Sequence, residues 1–104
     1  MYSLIVLNST DKNRFNCVKW AREKKPDLSF GLWTIGDKKD IINSCNPEIG
    51  AVAVMNVGLP WGHLGIVEDF GDGMVVIQEA NFKFGKITER SGTPAELKIL
   101  GYFV

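Results

Sequence analysis

The sequence predicts an α+β fold, with helices first and an antiparallel sheet after them. Two observations carry this expectation. The pattern changes near Pro47-Glu48-Ile49-Gly50, from helical before it to strand-like after it. Downstream, Gly71-Asp72-Gly73 separates two apolar-rich stretches and is a strong hairpin signal.

Phe15 to Lys25 reads as the first helix. Phe15, Val18, Ala21 and Arg22 recur at helical spacing, and Lys19, Glu23 and Lys24 take the solvent side. Asn13 or Asn16 can serve as N-cap, and Pro26 closes the segment. Leu32 to Ser44 is a second helical stretch, weakened by Gly36 and ended by Asn43-Ser44 and Asn46-Pro47. Ala51–Val57 is nearly all apolar, as a central strand should be. Leu59-Pro60-Trp61-Gly62 is a turn. His63–Phe70 and Met74–Asn81 are the hairpin strands, Lys86–Glu89 is a short strand, and Leu97–Val104 closes the sheet.

Composition narrows the function. The 104 residues form one expected domain of 11.6 kDa, long enough to bury a core without metals or disulfides. Hydrophobic residues at 45% and charged residues at 23% exclude disorder. Lys plus Arg equals Asp plus Glu at 12 each, so the basic excess needed for nucleic-acid capture is lacking. No apolar run reaches the roughly 18 residues of a membrane span. The Leu4–Leu7 run is too short for a signal-peptide core. Action on an extracellular target would therefore need another export route, host lysis, or a longer parent protein. Two cysteines, Cys17 and Cys45, permit one disulfide; with a single histidine and no paired cysteine spacing, a zinc site is not expected.

Four residues suggest chemistry. Cys17 falls in the first turn of the first helix, where the positive end of the dipole favours a thiolate. His63 opens a strand after a Pro-Trp-Gly turn, flanked by Gly62 and Gly65. Glu79 and Asn81 share one face of the next strand, continuing the row of Val75 and Ile77. Polar groups at the end of an apolar row cost stability unless partnered. A three-residue hairpin loop would set Phe70 opposite Met74, Val67 opposite Ile77, Gly65 opposite Glu79 and His63 opposite Asn81. A two-residue loop would turn His63 away, so the cluster requires the longer loop or a compensating bulge. If the Cys17 helix lies across that face, Cys17 can attack a carbonyl and His63 can carry the proton. Glu79 or Asn81 would then hold the imidazole. The Cys17 amide, with Asn16 as a further donor, would bind the oxyanion.

These segments resemble the CHAP family (cysteine, histidine-dependent amidohydrolase/peptidase). The resemblance rests on Asn16-Cys17 at a helix start and on Pro47-Glu48-Ile49-Gly50-Ala51-Val52-Ala53-Val54. It also rests on Gly62-His63-Leu64-Gly65-Ile66-Val67 and Gln78-Glu79-Ala80-Asn81-Phe82. It covers roughly residues 13 to 104. It implies a papain-like fold and hydrolysis of amide bonds, most often in peptidoglycan peptides, as in autolysins and phage lysins. It also implies Cys17 as nucleophile, His63 as base, Glu79 as orienting acid, Asn81 as a further polar site residue, and no cofactor or metal. Some members bind calcium near the cysteine, but Asp11 and Asn13 offer too few oxygens here.

Trp61, beside His63, is a candidate groove residue, whereas Trp20 and Trp33 read as packing residues. Lys38, Lys39 and Asp40 read as a solvated face, and Cys45 as structural. The expected partner is peptidoglycan or a peptide. The competing readings are a papain-like protease or deamidase toxin acting on protein, and a non-catalytic wall-binding module.

Overall fold

A computed structural model describes residues 1–104. It is α+β: a six-stranded antiparallel sheet with three short helices. The elements are β1 (Ser3–Leu7), α1 (Cys17–Lys24), α2 (Ile35–Lys39), β2 (Val52–Met55), β3 (His63–Gly71), β4 (Met74–Ala80), β5 (Ile87–Gly92), α3 (Pro94–Leu97) and β6 (Ile99–Phe103). Their order across the sheet is β1-β5-β4-β3-β2-β6.

The expected order of helices before sheet needs correction, because β1 precedes every helix and pairs with β5. The first helix begins at Cys17 rather than Phe15. The Asn16 side chain accepts from the Val18 and Lys19 amides and sets that start. The second helix is only five residues long, opened by a reciprocal Thr34–Asp37 capping box. The closing segment also divides. Thr93 caps α3, and Lys98 in the left-handed conformation turns the chain into β6.

The β3–β4 hairpin closes with two residues, not three. Asp72 and Gly73 have φ of 52° and 77°, the pattern of a type I′ turn, and Gly71 pairs with Met74. Phe70 therefore faces Val75, one step away from expectation. Glu68 then bulges, and from Val67↔Ile77 onward the ladder follows the expected pairing. The compensating irregularity lies on the exposed half of β3, while the half nearer His63 is buried.

Side chains on the two faces of the sheet build two cores. Val52, Val54, Leu64, Ile66, Ala80 and Ile87 pack with Trp20 and Ala21 of α1. Ala51, Ala53, Met55, Val67, Val75 and Ile77 pack on the other face with Leu97 and Tyr102. This alternation explains why β2 is buried along its whole length.

Candidate active site

His63 is paired with Met55, so strand alternation assigns it to the second-core face, opposite α1. The expectation that α1 crosses the His63 face is thus corrected. The meeting happens at the end of the sheet. His63 is the first residue of β3 and Cys17 the first residue of α1, and both line one cavity of about 580 Å³. There burial raises the Cys17 thiol pKa, but the His63 ring and the Leu64 amide act on the sulfur and bring it below its usual value.

The other side of the imidazole is fixed. His63 Nε2 lies 3.0 Å from Glu79 Oε1, and both side chains are buried. This leaves Nδ1 to face the thiol. Gly65 makes room for the arrangement. A Cβ at this position would lie 3.1 Å from the Gln78 carbonyl oxygen and 3.4 Å from Glu79 Cβ.

Glu79 is itself held from β5, which the sequence pattern did not reveal. Arg90 donates from Nε to Oε2 at 2.8 Å and from Nη2 to Oε1 at 2.7 Å. Thr88 Oγ1 donates to Oε2 at 3.0 Å. The guanidinium also stacks 3.6 Å from the Phe82 ring centre, and that ring sits 5.8 Å from the His63 ring. The signal available in the sequence was the Thr88-x-Arg90 spacing, which puts both residues on one strand face. Ending the expected strand at Glu89 hid it.

The protonation directions agree with one charge pattern. Burial is the largest single influence on Glu79 and raises its pKa, yet bonds from His63 and Arg90 together hold it below the usual value. Burial likewise works against His63 protonation, but the Cys17 thiolate and Glu79 together raise its pKa. Cys17 is raised by burial, and this is outweighed by His63, the Leu64 amide and Lys38, so its thiol pKa falls. These directions together favour a thiolate–imidazolium pair backed by a carboxylate.

Asn81 also lines the cavity, although its carbonyl is engaged by the Gly85 amide at 2.9 Å. With φ of 65° it ends β4 and shapes the following loop. Asn16 lines the cavity too; its carbonyl caps α1, which leaves its Nδ2 group as a donor. The Cys17 amide, at the first position of α1, has no protein acceptor.

Trp61 is 52% exposed and lines the cavity. Trp20 is buried in the first core. Trp33 is not a packing residue: it is 80% exposed on the cavity wall, near the equally exposed Phe30. Lys38 is not on a solvated face either, because it is buried and lines the same cavity. Cys45 is exposed rather than structural, and both cysteines are free.

The fold and the constellation together define a candidate thiol site at the end of an antiparallel sheet. No family model matches the chain, and no curated protein matches it. Among solved structures the chain is similar to "The crystal structure of Ly7917", with 16% identity and a TM-score of 0.54, covering 80% of this chain and 48% of that one. It is also similar to "The crystal structure of Ly7917 with the hydrolyzing product of MDP", with 24% identity and a TM-score of 0.47, covering 59% of this chain and 29% of that one. The first likeness shows a shared fold alone, and the second is too low-scoring to carry an argument. The chain spans less than half the length of either matched chain.

Proposed function

We propose that this protein is a cysteine amidohydrolase or endopeptidase of the CHAP type, with a papain-like arrangement, acting on amide bonds of peptidoglycan peptides. One observation supports this most: Cys17 and His63 line a single cavity, with the thiol at a helix start and the buried Glu79 bonded to the imidazole. The peptidoglycan substrate rests on the sequence resemblance.

In this reading the Cys17 thiolate attacks the substrate carbonyl, and the C=O electron pair moves onto oxygen. The Cys17 amide stabilises that oxyanion, helped by Asn16 Nδ2. Collapse of the tetrahedral intermediate expels the amine, which takes its proton from His63 Nδ1. Neutral His63 then draws a proton from water, and the resulting hydroxide equivalent cleaves the thioester and restores Cys17. Glu79 keeps the ring in the tautomer and orientation that both transfers need. Arg90 acts through Glu79, as a positioning residue.

The test is digestion of purified sacculi, with casein in parallel and mass spectrometry of the released muropeptides. New amine and carboxyl ends should appear in sacculi and not in casein. Cys17→Ala should lose all turnover while keeping its circular dichroism. Cleavage of casein alone would point to the protein-directed alternative. Substantial hydrolysis by Cys17→Ala would remove Cys17 from the nucleophile's place.

A further inference from the structure

The cavity has a chemical bias that its catalytic groups do not explain. Lys19, Arg22 and Lys38 all line it, and none of its 17 lining residues is an Asp or a Glu. The chain as a whole is charge-balanced, with 12 basic and 12 acidic residues. Lys38 is the unusual member. It is only 2% exposed, and its Nζ makes one hydrogen bond, to the Leu32 carbonyl at 2.8 Å. An ammonium has three donors, so two remain unused. No carboxylate is within ion-pair distance of it. Its neighbour Asp37 is committed to the Trp33 and Thr34 amides. Burial disfavours its charge, which the Cys17 thiolate and Asp37 favour only through space, and a buried cation without a bonded anion is costly.

We propose that Lys38 is a specificity residue that pairs with a carboxylate on the substrate, selecting stem peptides that carry a free acid close to the scissile amide. This rests on the peptidoglycan reading above and narrows it. A cavity of about 580 Å³ is about 10 Å across, roughly three extended residues. The acid must therefore lie within that distance of the bond presented to Cys17. The exposed Trp33 and Trp61 on the walls suit the uncharged remainder of the ligand. Amidation of the acid would remove the charge and leave the ammonium unpaired.

The test uses two N-acetylmuramoyl tripeptides with amidated C-termini that differ in one group, with isoglutamate or isoglutamine as the second residue and lysine as the third. Titration calorimetry on Cys17→Ala measures binding without turnover. The acid should bind at least about tenfold more tightly, as expected for a charge-assisted hydrogen bond to a buried ammonium. Lys38→Met keeps the aliphatic stem and should bring the two affinities within about twofold, whereas Lys38→Arg should keep part of the preference. Equal affinities in the Lys38-containing protein overturn this proposal and leave the proposed function standing. A preference that persists in Lys38→Met assigns the selection to Lys19 or Arg22 and overturns it for Lys38. Binding of neither peptide overturns the substrate reading, and this proposal with it. On otherwise wild-type protein, an equal loss of turnover for both peptides in Lys38→Met, with a shifted acid limb of the pH profile, would give Lys38 a role in supporting the thiolate instead.

Discussion

Replacing Arg90 by Met isolates the charge that holds the site's carboxylate. Glu79 is fully buried and Arg90 is 2% exposed, so water screens neither. The change removes two charge-assisted bonds, of 2.8 and 2.7 Å, and leaves Glu79 with Thr88 and His63. Removing one partner of a buried ion pair costs about 3–5 kcal/mol. Domains of this size have about 5–15 kcal/mol in total, so Arg90→Met should be folded but marginal. Urea unfolding followed by tryptophan fluorescence gives the value. Combining Arg90→Met with Glu79→Gln removes the stranded charge, and the double variant should be at least about 1 kcal/mol more stable than Arg90→Met alone. The partly exposed Lys25–Asp27 pair, at 3.3 Å, is the control, and Asp27→Asn should cost less than about 0.5 kcal/mol. Linkage adds a second readout. The folded-state pKa of Glu79 is depressed, so its contribution is complete above the unfolded value near 4.3 and is lost as pH falls through the folded value. Without Arg90 the acid-unfolding midpoint should move to higher pH. A cost below about 1 kcal/mol in Arg90→Met, with no movement of that midpoint, would refute the view that this pair is buried and tight.

Three further expectations follow from the same geometry. The active thiolate–imidazolium pair should give a bell-shaped kcat/KM profile, with its acid limb below the usual thiol value of about 8.5 and its alkaline limb above the usual imidazole value of about 6.5; a single limb near 8.5 would contradict it. Glu79→Gln should lower kcat by at least about 100-fold and move the alkaline limb down, whereas Asn81→Gly, which keeps the left-handed backbone, should act mainly on KM; equal kcat losses in the two variants would make Asn81 a second orienter of the ring. Gly65→Ala should destabilise by about 1–3 kcal/mol, because its methyl would press on the Gln78 backbone and on Met55 Cε, each 3.1 Å away; a neutral result in thermal melts would show that the hairpin can shift without loss.

The residues that converge on the cavity were legible where chemistry and local pattern coincide. Cys17 follows an N-cap amide, His63 follows a turn, and Glu79 interrupts an apolar strand row. Each of these is a short-range signal. The supporting residues were hidden because their type argues for the surface. Lysine and arginine are almost never fully buried without a partner, so Lys38 read as solvated and Arg90 fell outside its strand. Only the pairing of β5 with β4, and the approach of α2 to the cavity, shows where those charges go. The strand β1 was missed for a related reason. Its partner β5 lies near the far end of the chain, and no neighbouring turn announces the pairing. The hairpin shows how a local rule can fail and still leave the site in place. Asp72-Gly73 took the tight turn its residues favour, and the mismatch was absorbed at Glu68.

That absorbed mismatch makes the two ends of the hairpin mechanically separate. The tip can be redesigned without disturbing the imidazole, because the unpaired Glu68 separates it from the Val67↔Ile77 pair. Deleting Glu68 alone should remove the bulge while keeping Val67 opposite Ile77, so His63 should stay beside Glu79. The bulge is a spare position in the strand, and the catalytic ring is insulated from its loss.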